Sequence, residues 1–66
     1  MKERDLISLE NLARYGSFVS AAERMKVAQP YLSKYVREME ARYGAPLVNR
    51  TTKPLTLTAV GQGLLE

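Results

Sequence analysis

Sixty-six residues with a net charge of +3, and with neither cysteine nor histidine, make one small domain with a thin core. That composition excludes a disulfide framework, thiolate or imidazole metal sites and the usual catalytic triads, so no enzyme activity, metal or cofactor is expected. No apolar run approaches the roughly 20 residues that span a bilayer, and the charged opening MKERDLISLE lacks the apolar middle of a signal peptide. A soluble cytoplasmic protein, without a membrane partner, is the expectation. Residues 1–28 carry five basic and four acidic side chains, whereas residues 29–54 carry five basic and two acidic ones. The positive excess therefore sits mid-chain, where a polyanion would bind.

In chain order, the first periodic segment runs from about Arg4 to Tyr15, with Leu6, Leu9, Leu12 and Ala13 forming one apolar helical stripe. Gly16 suits the left-handed end of that helix, and Ser17 suits the N-cap of the next. A second helix is expected over about Phe18 to Lys26, where Phe18, Ala21, Ala22 and Met25 fall on one face. The short turn at Val27 and Ala28 forces a steep crossing into a third helix, from about Gln29 to Tyr43. Pro30 lies in its first turn, where a missing N–H costs nothing. Leu32, Val36, Met39 and Tyr43 cluster within about 60° as its buried stripe. Gln29, Pro30, Ser33, Lys34 and Arg37 spread over the next 140° or so as a polar, basic face. Gly44 and Pro46 end the helix.

Leu47-Val48-Asn49 and Leu55-Thr56-Leu57 read as short strands of a ribbon over about 47–57, with Arg50, Thr51, Thr52, Lys53 and Pro54 at its tip. Thr58 suits the N-cap of a fourth helix from about Ala59. The expected core is Leu6, Leu9, Phe18, Met25, Leu32, Val36 and Met39, with Tyr15, Tyr35 and Tyr43 in it or at its edge. Glu38 and Glu40 are two apart on a helix and diverge, so they are not a catalytic carboxylate pair. These elements describe a mainly α single domain over 1–66: a winged helix-turn-helix with a three-helix core, a two-stranded wing and the start of a fourth helix.

The string AAERMKVAQPYLSKYVREMEARYGAPLVNRTTKPLTLTAVG closely resembles the N-terminal domain of LysR-type bacterial transcriptional regulators. Gly16-Ser17-Phe18, Ala21-Ala22, Gln29-Pro30, Leu32-Ser33, Glu40, Gly44, Leu47, Arg50, Leu57-Thr58 and Gly61 match the family pattern in register, without a gap. Ala28 stands where many members carry a serine N-cap, Lys34 replaces the commoner arginine, Met39 a leucine, and Val48-Asn49 a Phe followed by an acidic or polar residue. Family members continue through a long linker helix into an effector-binding domain. The resemblance thus implies a DNA-binding fragment with a truncated linker helix. Dimerisation would run mostly through that linker, and the effector ligand would bind a domain absent here.

On that reading the third helix enters the major groove of double-stranded DNA. Gln29 offers a bidentate amide to adenine, Pro30 and Tyr31 an apolar contact to a thymine methyl, Ser33 a hydroxyl and Lys34 a cation to base edges. Arg37 lies further along, within reach of phosphate or guanine. Arg50, Thr51, Thr52 and Lys53 would meet the minor groove or its phosphates, and Ser17 a phosphate at the second helix's N-terminus. Each has a plainer alternative: Ser17 as a cap only, Lys53 as an idle loop lysine, and Arg50 as an ion-pair partner of Glu40 or Glu38. Two further readings of the whole domain stand beside this one: a winged helix used for protein contact, and another winged-helix regulator family such as a molybdate-responsive type.

Overall fold

The turn at Gly16 decides how the chain folds back on itself. The computed structural model describes residues 3–66, so residues 1 and 2 of the expected 1–66 unit lie outside the described residues. Its elements are α1 (Glu3–Tyr15), α2 (Phe18–Met25), α3 (Gln29–Tyr43), β1 (Val48–Asn49), β2 (Thr56–Leu57) and α4 (Ala59–Leu65). Gly16 closes α1 with φ at 73°, and a Cβ there would lie 2.7 Å from the Cβ of Pro54. Only glycine meets both demands, the left-handed backbone and the close approach of the wing. Ser17 then caps α2, its Oγ accepting from the Ser20 N–H at 3.0 Å.

The ends of α2 and α3 show where side-chain chemistry is missing. α2 stops at Met25, one residue short of the sequence expectation, because Lys26 turns left-handed at φ 61°. A side chain in that conformation costs roughly 1 kcal/mol, and no glycine announces it in the sequence. α3 opens at Ala28 with no side-chain cap bond, and Pro30 sits in its first turn. It closes at Gly44, whose N–H donates to the Glu40 carbonyl at 2.8 Å.

The core joins Leu9 and Leu12 of α1, Ala21 and Ala22 of α2, and Leu32, Val36 and Met39 of α3. The wing adds Leu47, Val48, Leu55 and Leu57 from below. Phe18, Met25, Tyr35 and Tyr43 are half-buried against this cluster rather than inside it. The expected α1 stripe needs a correction. Leu6 is half-buried and Ala13 exposed, while Asp5 and Ser8 are fully buried. At 100° per residue, Asp5 and Leu12 lie at the centre of the buried face with Ser8 and Leu9 at its two edges, and the Leu6–Ala13 flank beyond Leu9 turns outward.

β1 pairs antiparallel with β2, Val48 opposite Leu57 and Asn49 opposite Thr56. The base of this wing is tied down twice at Leu47, whose N–H donates to Glu40 Oε2 at 2.8 Å and whose carbonyl accepts from the Thr58 N–H at 3.0 Å. Thr58 caps α4 by accepting from the Gly61 N–H at 3.1 Å, while its own hydroxyl donates to the Pro46 carbonyl at 2.7 Å. Gly61 is buried against Leu47, so closely that a Cβ would collide with the Leu47 carbonyl oxygen. Among the described residues no helix is long and apolar enough to cross a membrane.

Candidate nucleic-acid interface

α3 divides lengthwise into three strips. Leu32, Val36 and Met39 face the core. Gln29, Pro30, Lys34 and Arg37 are exposed and Ser33 is half-buried, so the basic face expected from the sequence is presented outward. Among the described residues, neither Lys34 nor Arg37 forms a salt bridge, which leaves both charges available to an external anion. The uncapped start at Ala28 also leaves the first-turn N–H groups without a side-chain acceptor.

The third strip turns toward α1. Tyr31 is 44% exposed, but its hydroxyl accepts from Arg4 Nη1 at 2.9 Å and its ring stacks on Tyr35 at 6.3 Å. It belongs to the edge of the outward face rather than its centre. Deeper along this strip, Asp5 accepts hydrogen bonds from the hydroxyls of Tyr35 and Tyr43 and from both terminal nitrogens of Arg42. Burial pushes the Asp5 carboxyl up, but the bonds from Arg42, Tyr35 and Tyr43, with the Arg42 charge, outweigh it and hold the pKa below the ordinary value. Burial, and then the Asp5 carboxylate, raise the pKa values of both phenols. This cluster escaped the sequence reading. Its signal in the sequence was weak: polar-tipped residues at 35, 42 and 43 in or beside the apolar stripe, and two acids, Glu3 and Asp5, in the first turn of α1 to meet them.

The wing brings together residues from two elements. Ser17 at the start of α2 and Arg50, Thr52 and Lys53 of the wing line one shallow depression, with Phe18 at its floor. Lys53 is exposed at its rim and, among the described residues, makes no ion pair. Thr51 is exposed on the tip. Two members are less available than the sequence implied. Arg50 Nη1 is held by both Glu40 oxygens, at 3.1 and 3.2 Å, and its guanidinium lies 5.4 Å from the centre of the Phe18 ring. The Thr52 hydroxyl donates to the Asn49 carbonyl at 3.1 Å, so its proton is used inside the wing. Ser17 Oγ accepts the α2 cap bond and keeps its own hydrogen for an outside acceptor.

Two helices, α2 and α3, joined by a short turn, a cationic outward face and an adjoining basic wing can be set beside known proteins. Residues 4–62 match the family described as "Bacterial regulatory helix-turn-helix protein, lysR family". The chain belongs to this family. The HTH-type transcriptional regulator PgrR of Escherichia coli is 41% identical over 62 residues, covering 94% of this chain and 21% of its own. Among solved structures, Vibrio fischeri DarR in complex with DNA superposes with a TM-score of 0.89 at 35% identity, covering 98% of this chain and 22% of DarR. The BenM DNA-binding domain bound to benA site 1 DNA gives a TM-score of 0.89 at 29% identity, covering 98% of this chain and 76% of that one. The chain spans between 17% and 29% of the length of curated relatives such as YcgK of Bacillus subtilis and TfdT of Cupriavidus pinatubonensis.

Proposed function

We propose that these residues form the sequence-specific, double-stranded DNA-binding part of a LysR-type transcriptional regulator. The observation that carries this is the outward strip of α3, where Lys34 and Arg37 stand exposed and unpaired among the described residues, beside a wing tip carrying Lys53. The likeness to DarR and BenM structures solved with DNA supports the same reading. α3 lies in the major groove, with Gln29 and Ser33 hydrogen-bonding to base edges and Pro30 against a thymine methyl. Tyr31, held at the edge, extends that apolar contact; Lys34 reaches a base edge or phosphate, and Arg37 a phosphate. Lys53 and Thr51 meet the minor groove or its phosphates, with Ser17 donating to a phosphate beside them. Arg50 spends its charge first on Glu40, so it serves the wing's shape and only its remaining edge meets the backbone.

The protein contact reading of the winged helix is disfavoured by the unpaired cations on both α3 and the wing. In the longer regulators of this family the domain works as a dimer on a partly palindromic site, in the bacterial cytoplasm. Dimerisation and effector binding belong to the linker helix and the domain beyond it. Anisotropy titration against random duplexes is the first test. Binding should appear at about 50 mM salt and fall steeply as salt rises, and no binding there would end the proposal. Selection of preferred duplexes from a random pool then tests the major-groove assignment. Gln29→Ala should flatten the ranking of sites, and an unchanged ranking would reject it. Lys53→Ala should weaken all sequences alike and reduce the salt slope by about one.

A further inference from the structure

Two flanks of α3 are held by carboxylates, and the flank away from the wing has no partner in the DNA reading. Asp5 is fully buried, so it cannot touch DNA, yet it gathers three side chains of the proposed recognition helix. Its Oδ1 accepts from the Tyr35 hydroxyl and Arg42 Nη2, and its Oδ2 accepts from Arg42 Nη1 and the Tyr43 hydroxyl. Next to it on α1, Arg4 donates to the Tyr31 hydroxyl, and Tyr31 stacks on Tyr35. The first turn of α1 therefore grips α3 from Tyr31 to Tyr43, a span of about 18 Å at helical rise. Core packing through Leu32, Val36 and Met39 holds α3 in place, and polar grips near both ends add directional bonds that fix the angle of its axis against α1.

We propose that Asp5 is a positioning residue that sets the angle of α3 and thereby the sequence preference of the Gln29–Ser33 face. This rests on the DNA reading above. Two features of the chain make such a device necessary and effective. α3 has no side-chain cap at Ala28, so the turn that carries Gln29 and Pro30 lacks that local anchor. A buried carboxylate with four donors is directional, whereas an apolar side chain of equal volume would stabilise the contact without fixing the rotation of the two helices. A base contact tolerates little misplacement, because a bidentate pair needs both hydrogen bonds in line, while a phosphate contact from a long lysine accommodates a small tilt. Loss of the Asp5 grip consequently falls on preference more than on general affinity.

The test uses the 66-residue chain with two duplexes of equal length, one chosen by selection and one of random sequence. Asp5→Asn and Tyr35→Phe are titrated against both, with folding monitored by circular dichroism. The Kd for the selected duplex should rise about tenfold, the size of one good base contact, while the Kd for the random duplex stays within about twofold. A role in stability alone would scale both affinities by the folded fraction and leave their ratio unchanged, and that result overturns the proposal. Should Asp5→Asn fail to fold, Tyr35→Phe decides, since it keeps the ring and leaves Asp5 bonded to Arg42 and Tyr43. A wild-type chain that binds neither duplex removes the DNA reading, and this inference with it. Wild-type preference that survives intact in the variants removes the positioning role alone.

Discussion

Asp5 and Glu40 both hold α3, one against α1 and the other against the wing, but they do so in different ways. Asp5 is fully buried and takes every bond from side chains 30 to 38 residues away in sequence. Glu40 is 15% exposed at its side chain and takes the Leu47 and Val48 N–H groups and Arg50, partners 7 to 10 residues away. The Glu40 contact is a local turn device: backbone amides supply fixed donors, and Arg50 adds a partly solvated charge worth little on its own. The Asp5 contact closes a long loop and leaves polar groups stranded if it breaks. A carboxylate that organises its own neighbourhood is thus replaceable, and one that joins distant elements is not.

The difference can be broken at several points. Asp5→Ala should cost about 3 kcal/mol in urea unfolding, because two phenols and a guanidinium lose their common acceptor. A loss no larger than that of Glu40→Gln would erase the distinction. Gly61→Ala should cost about 2 kcal/mol by pressing on the Leu47 carbonyl, attacking the Glu40 side of α3 without touching Glu40. Its melting temperature against wild type reads this directly. Glu40→Gln should cost about 1.5 kcal/mol and speed hydrogen exchange at the Leu47 amide, with little change at α1. Unchanged exchange at Leu47 would show that the wing holds itself.

Acid gives a smaller effect with a fixed sign. The Asp5 pKa is lowered in the folded chain, so its contribution is complete above about pH 4 and is lost as pH falls through the folded value. Wild type should therefore lose stability on acidification faster than Asp5→Asn does, followed by circular dichroism at fixed urea. Equal acid slopes would assign the loss to other carboxylates. The smallest change is Ala28→Ser, which should add about 0.5 to 1 kcal/mol by capping α3. A null result there means that the Arg4–Tyr31 contact already steadies the first turn.

The same contrast separates what the sequence disclosed from what it did not. The helical order, the wing and the outward strip of α3 were legible because periodicity, Gly16, Ser17, Gly44 and Thr58 are local signals. The Arg50–Glu40 pair was among the readings for the same reason, ten residues being close enough to imagine. Asp5 was not, because apolar periodicity centres the stripe on Leu9, toward Leu6 and Ala13, and an acid lying between Leu9 and Leu12 on that face carries no apolar signal. Nothing in a single sequence says that, of the two acids opening α1, the one at position 5 will meet residues near position 40. The Lys26 cap was hidden too, since a left-handed lysine leaves no mark in composition. For the proposed interface, the sequence offered Arg50 both as a DNA contact and as a partner of Glu40 or Glu38, and only the packing shows its charge held by Glu40.

Gly16 carries a mechanical consequence. Its carbonyl accepts from the Leu55 N–H at 2.8 Å, and the space its missing Cβ leaves is filled by Pro54. The turn before α2 and the wing are joined at that point, so the backbones carrying Ser17 and Lys53 keep a set spacing, like the jaws of a gauge. A surface that touches both must match the backbone spacing set there, to within the reach of the Lys53 side chain. A duplex whose backbone spacing departs from it would lose one contact or deform to keep both.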